Sequence, residues 1–457
     1  MNRVTRRVWV MLLFIGILLG GTAFFVGEFF ARSDKWVVSS GSPHVYNATN
    51  IGFGSVQDRD GVLLLDLTDK RTYSTDLSVR KSTLHWLGDR SGNISAPAIS
   101  YYARQMAGFD LLNGIYAYGG AGGQATLTLS SRVQSVASDA MGSRKGTIAV
   151  YNYKTGEILC AVTTPTYDPD NVPAISLNER GEYEGIYLNR FLQSAYIPGS
   201  IFKVVTTAAA LDCIDDIQQQ TFYCSGEMEF GVDRVTCENP HGSITLQTAL
   251  ARSCNCAFAQ IALQIGAEKM TEYVERFGVA NNVSFDGITT AKGNYDVLDC
   301  ADVELAWSCI GQYTDQVNPC TFMTFMGALG AGGKAAQPYV VERITVGREV
   351  TYQAETVAMN PVIDPEVAQI LRQYMENNVN TVYGAENFPG LTVCAKSGTS
   401  QLGGDAISNA MFAGFVADEE YPLAFIVVVE NGGYGSSTCV PILSKVLAEC
   451  KAVMDEK

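Results

Sequence analysis

The segment Tyr196-Ile197-Pro198-Gly199-Ser200-Ile201-Phe202-Lys203 sets a Pro-Gly turn ahead of an apolar run, Phe202 to Leu211, that reads as a buried helix. Ser200 and Lys203 then lie one helical turn apart and share a face. A serine hydroxyl is a poor nucleophile at neutral pH, and an amine held beside it and partly desolvated can remove its proton at the moment of attack. The helix start also offers a backbone N–H toward a developing oxyanion. A lone Ser-x-x-Lys tetrad arises equally on solvated helices, so the reading depends on its company.

Two further segments supply that company. Ala251-Arg252-Ser253-Cys254-Asn255-Cys256 interrupts a helical pattern with a Ser-x-Asn triplet. In a loop, both side chains reach one cleft, Ser253 as a proton relay and Asn255 as a partner for a substrate amide. Taken alone, Ser253 would be an ordinary cap and Cys254 ordinary core. Leu391-Thr392-Val393-Cys394-Ala395-Lys396-Ser397-Gly398-Thr399 is a strand-like run that ends in a cation, a hydroxyl, a glycine and a second hydroxyl. Lys396 suits a substrate carboxylate, and Gly398 lets a bound extended chain lie close to the backbone.

Working outward, Thr147–Tyr151 and Glu157–Val162 read as an antiparallel hairpin, and Ala410–Val416 and Leu423–Val429 as two more strands around an acidic turn. Strands at both ends of a helical middle predict an α/β domain with one sheet assembled from both ends. Residues 34 to about 128 are rich in Ser, Gly, Asn and Tyr and read as short strands between turns, and the Gly-rich run 118–123 as a connection.

Arg3, Arg6 and Arg7 precede Val8 to Gly27, twenty residues without a charge, and Glu28 follows. That length matches a bilayer core, and the arginines predict a cytoplasmic N-terminus with the rest outside. A cleaved signal peptide is the rival, since Gly21-Thr22-Ala23 resembles a cleavage site, but the apolar run continues through Val26. The net charge of -15 excludes a nucleic-acid footprint. Of the 12 cysteines, Cys224 and Cys237 bracket a compact segment and are the first expected disulfide. No close C-x-x-C pair and no histidine at ligand spacing points to zinc.

Ser200-x-x-Lys203, Ser253-x-Asn255 and Lys396-Ser397-Gly398-Thr399 occur in the order and approximate spacing of the penicillin-binding proteins and serine β-lactamases, which this chain resembles. Its surroundings are similar to the class B, monofunctional transpeptidase branch: Gly54–Gly61, Thr163–Asp170, Asn189-Arg190, Gly311-Gln312 and Gly330–Gly333. Lys154-Thr155-Gly156 matches the third motif as text but lies in a hairpin turn ahead of Ser200. His241 is expected to serve the loop it sits in.

The resemblance implies an antiparallel sheet flanked by helices plus a helical subdomain, preceded by a small β-rich module and one transmembrane helix. It divides the chain into a tail (1–7), an anchor (8–27), a juxtamembrane module with its connection (28–140) and a transpeptidase domain (141–457). It implies a D,D-transpeptidase that cross-links peptidoglycan stem peptides through an acyl-enzyme on Ser200. In that scheme Lys203 is the base, Ser253 the proton shuttle, Asn255 the stem-orienting group, and Lys396 supports the proton network. Ser397, Gly398 and Thr399 bind substrate with it, and backbone N–H groups of Ser200 and Thr399 form the oxyanion hole. A D,D-carboxypeptidase and a catalytically quiet scaffold stand as alternatives. β-Lactams are implied as covalent inhibitors and a polytopic membrane glycosyltransferase as partner. The chemistry requires no cofactor or metal.

Overall fold

The computed structural model describes residues 2–37, 54–68, 70–107, 122–175, 181–400 and 407–456. Helix α1 (Asn2–Val37) contains the uncharged run, and within it Val4–Ala31 is long and apolar enough to cross a membrane. Its Leu12, Phe14 and Ile17 are exposed.

The segment between α1 and residue 128 supplies strands β1 (Ser55–Gln57), β2 (Leu63–Asp66), β3 (Thr72–Tyr73) and β4 (Gln124–Leu127), but also short helices such as Leu77–Ser82 and Leu84–Leu87. Its sheet is completed from far along the chain: Val341–Val346 pairs with β4, and Glu349–Gln353 pairs with Val341–Val346. The module is therefore not contiguous in sequence. Most of the Gly-rich run 118–123 lies outside the described residues.

Side-chain contacts hold this module to the rest. Asp58 accepts from Asp60 N and Val62 N through one carboxylate oxygen, and from Ser131 N at the start of helix α2 (Ser131–Met141) through the other. Arg80 grips Asp168 through two hydrogen bonds of 2.7 and 2.9 Å. Trp86 Nε1 donates to Ala161 O at 2.7 Å; within the main domain, Arg190 pairs with Glu430 at 2.7 Å.

After α2 the chain forms β5 (Gly146–Asn152) and β6 (Ile158–Thr164). It then passes through helix α3 (Lys203–Cys213) and four short strands, β7 (Thr221–Cys224), β8 (Glu227–Phe230), β9 (Asp233–Thr236) and β10 (Gly242–Thr245). Strand β7 pairs with β10, and β8 with β9. Helices α4 (Asn255–Ile265) and α5 (Pro319–Gly330) follow, then β11 (Val393–Ser400), β12 (Asn409–Val416), β13 (Leu423–Val429) and α6 (Gly435–Asp455). The main sheet runs β11-β12-β13-β5-β6, antiparallel throughout, so its strands come from both ends of the domain.

Both faces of that sheet are covered, which is why its strands read as continuous apolar runs instead of alternating ones. The period of two survives in destination. Ile148, Val150, Phe412 and Val427 join a core with α2 and α6, including Val133, Leu443 and Leu447. Ala149, Tyr151, Ala413 and Val428 face the other core, with Phe322 and Met326 of α5 and Phe258 of α4.

Candidate active site

The chain enters the first predicted helix through a tight 3₁₀ turn, Gly199–Phe202, and only then becomes α-helical at Lys203. In a 3₁₀ turn the side chains at i and i+3 eclipse. Ser200 is thereby stacked over Lys203, whose Nζ lies 3.2 Å from Ser200 Oγ. Lys203 is fully buried and Ser200 is half-buried at the cleft.

The Ser-x-Asn triplet sits where the helical pattern breaks. Helix Leu246–Ala251 ends, Ser253 takes a left-handed φ of 54°, and Cys254 caps α4 with its sulfur accepting from Ala257 N. Cys254, not Ser253, is the cap. The reversal at Ser253 turns its hydroxyl into the cleft, while Asn255 occupies the first turn of α4.

Lys203 Nζ has four oxygens within reach: Asn255 Oδ1 at 2.6 Å, Ser253 O at 2.7 Å, Ser253 Oγ at 3.1 Å and Ser200 Oγ at 3.2 Å. An ammonium has three donors. A neutral amine instead donates two, which the two shortest contacts absorb, and keeps a lone pair for the Ser200 hydroxyl. Burial, and then the charge of Lys396, pull Lys203 down to about 7, so the neutral form is accessible near neutrality.

The third motif occupies β11, the edge strand of the main sheet. Lys396 is fully buried and donates to Ser253 Oγ at 3.1 Å and to Ser397 O at 2.8 Å. Burial pulls it, too, down to about 7. Ser253 Oγ therefore bridges the two lysines, making a continuous chain Ser200–Lys203–Ser253–Lys396. Strand β11 passes so close to the Ser200 turn that a Cβ on Gly398 would lie 2.8 Å from Pro198 O. Ser397 and Thr399 reach the cleft, and Thr399 Oγ1 accepts from Gly435 N at 3.2 Å.

All eight predicted site residues thus meet on three elements. Ser200, Ser253, Asn255, Ser397 and Thr399 line an open cleft of about 530 Å³. Gly398 forms its strand wall, and the two lysines sit beneath. Two supports escaped the sequence reading. Tyr383, on a π-helical turn Val379–Tyr383, accepts from Ser397 N at 2.9 Å and lies 3.0 Å from Ser397 Oγ. Asn378 Nδ2 donates to Ala395 O at 3.0 Å. No spacing within either segment announces these contacts with β11. Gln312, noted only within a resembling segment, donates to Thr399 O at 3.4 Å.

The expected Cys224–Cys237 disulfide is not formed, and every cysteine is free. Their sulfurs belong to a larger group with His241 and Cys254 rather than to a pair.

Residues 146–448 match the penicillin-binding protein transpeptidase domain family. The chain is 28% identical over 338 residues to the peptidoglycan D,D-transpeptidase PbpA of Mycolicibacterium smegmatis, covering 68% of each. It is 26% identical over 424 residues to stage V sporulation protein D of Bacillus subtilis, covering 87% of this chain and 61% of the relative. Among solved structures, the penicillin G acyl-enzyme complex of penicillin-binding protein A from M. tuberculosis aligns with a TM-score of 0.73 at 21% identity. That alignment covers 88% of this chain and 100% of the other.

Proposed function

Because the chain belongs to the penicillin-binding protein transpeptidase family, we propose that it is a peptidoglycan D,D-transpeptidase acting through an acyl-enzyme on Ser200. The observation that carries this reading is the buried hydrogen-bond chain from Ser200 Oγ through Lys203 and Ser253 to Lys396. Lys203 Nζ takes the Ser200 proton as Oγ attacks the carbonyl of a D-alanyl-D-alanine amide. The tetrahedral oxyanion is received by the backbone N–H groups of Ser200 and Thr399. Collapse breaks the C–N bond, and Ser253 passes a proton to the leaving D-alanine amine, with Lys396 holding the Ser253 hydroxyl in line. Asn255 orients the stem, while Ser397 and Thr399 hold the terminal carboxylate beside the edge of β11, where an extended stem adds as a further strand. Attack by the amine of a second stem on the ester carbonyl then forms the cross-link and frees Ser200.

Helix α1 holds this domain at the outer face of the cell membrane, its arginine end cytoplasmic, and a polytopic glycosyltransferase in the same membrane supplies the glycan strand. Intact-mass measurement after penicillin exposure is expected to give one adduct per chain, absent in Ser200→Ala. With a matched stem peptide and an acceptor amine, aminolysis is expected to exceed hydrolysis. An adduct retained in Ser200→Ala moves the nucleophile elsewhere. Stem shortened by one D-alanine without dimer makes the protein a carboxypeptidase instead.

A further inference from the structure

Beside the cleft, four side chains from three segments of the chain converge on one point. Cys224 ends β7, Cys237 follows β9, His241 precedes β10, and Cys254 lies between Ser253 and Asn255. The pairing of β7 with β10 sets Cys224 opposite Gly242, next to His241. The three sulfurs and a ring nitrogen all lie within 4.8 Å of one another. Cys237 Sγ is 3.7 Å from Cys254 Sγ, and Cys224 Sγ is 3.5 Å from His241 Nδ1.

Those separations discriminate between chemistries. A tetrahedral zinc ion, with Zn–S near 2.3 Å and Zn–N near 2.05 Å, sets sulfurs about 3.8 Å apart and a sulfur and nitrogen about 3.6 Å apart. A disulfide requires its sulfurs at about 2.05 Å. Backbone donors are also aimed at the sulfurs as they are around metal-bound thiolates: Cys256 N to Cys237 Sγ at 3.3 Å and Ala257 N to Cys254 Sγ at 3.4 Å. Cys256 stands outside the set, its own thiol directed at Val235 O.

We propose that Cys224, Cys237, His241 and Cys254 bind one zinc ion, a closed structural site that fixes the Ser253–Asn255 loop against the β7–β10 and β8–β9 pairs. Four protein ligands leave no open position, so the ion takes no part in the acyl transfer. Binding displaces the protons of the three thiols, and the imidazole coordinates in its neutral form. The ion acts through Cys254. Ser253 holds an uncommon left-handed φ, and Asn255 Nδ2 is bonded to Thr236 O at 2.7 Å, next to Cys237. Anchoring Cys254 between them fixes the two groups that contact Lys203. This positioning role rests on the acyl-enzyme reading, whereas the metal site itself does not.

The test uses the full chain, anchor included, purified in detergent without chelator from cells grown with zinc. Elemental analysis is expected to give about one zinc per chain, and cobalt exchanged into the protein to give the intense visible absorption of a tetrahedral thiolate site. Cys224→Ser and His241→Ala are expected to lose the metal, and His241→Cys, which restores a four-ligand set, to keep it. Stripping wild-type protein with a strong chelator is expected to slow penicillin acylation about tenfold, with recovery on adding zinc. Zinc below a tenth per chain, with no uptake by the reduced protein, overturns the site. So does a Cys237–Cys254 disulfide in protein from the native host. A bound zinc whose removal leaves acylation unchanged overturns the positioning role. Absence of any acylation in zinc-loaded protein counts against the functional reading and leaves the metal site standing.

Discussion

Two segments of this chain carry nearly the same three letters, Lys154-Thr155-Gly156 and Lys396-Ser397-Gly398, and the fold gives them opposite physics. The first is the turn between β5 and β6, where Asn152 Oδ1 accepts from the backbone N–H groups of Lys154 and Thr155. Its ammonium pairs with Glu419 and its side chain is 44% exposed. The second lies on the edge strand, with Lys396 wholly buried and directed at Ser253 Oγ. A lysine in water beside a carboxylate stays a solvated cation, while one stripped of water and of a counter-ion becomes available for proton transfer. The difference lies in the surroundings, not in the motif.

The sharpest way to break this comparison is to remove each cation in turn. Lys396→Ala is expected to lower the rate of acylation by a fluorescent penicillin about 10²- to 10⁴-fold, while Lys154→Ala leaves it unchanged. Equal losses in the two variants would mean that the buried environment is not what matters.

The second test is pH. Lys203 must be neutral to accept the Ser200 proton, so acylation is expected to rise with pH up to about 7 and then level off. A stopped-flow profile flat between pH of about 5.5 and 8 would contradict it. Stability follows the same shift. Both buried lysines are depressed from 10.5 to about 7, so between those values the unfolded chain binds more protons than the folded one. Stability is therefore expected to increase with pH across that window. In Lys396→Met, denaturant midpoints measured against pH are expected to rise less steeply.

The smallest effects separate the two glycines. Gly156 has a φ of +93°, and a Cβ there would lie 2.2 Å from Gln337 O. Gly156→Ala is expected to cost about 1–3 kcal/mol of stability and to spare acylation of the folded protein. Gly398 has no such φ, but its missing Cβ is what lets β11 approach the Ser200 turn. Gly398→Ala is expected to slow acylation about tenfold with a lesser loss of stability. Thermal melts beside acylation rates resolve the pair.

The apolar N-terminal helix, the strands at both ends of the main domain and the three chemical segments were all legible because each is a local pattern. A run of twenty uncharged residues, a Pro-Gly turn before an apolar helix and a strand ending in Lys-Ser-Gly-Thr need no distant partner to be read. Less legible was the six-stranded sheet, since Val341–Val346 joins β4 across more than two hundred residues and neither strand names the other. The supports Tyr383 and Asn378 share this difficulty, because a hydrogen bond to β11 leaves no mark on its own segment.

The cysteines mark the boundary most clearly. Spacing alone brackets Cys224 with Cys237 and so suggests a disulfide, yet in the fold these two meet Cys254 and His241 at separations that suit a shared ion. Which residue types are available for catalysis was determined by the sequence, and so was the order in which they occur along the chain. Which of them are dry, which face one another, and which lysine is buried rather than a surface charge was decided only by tertiary structure. Desolvation and ligand geometry are properties of a place in space, assembled from segments that the chain itself keeps far apart.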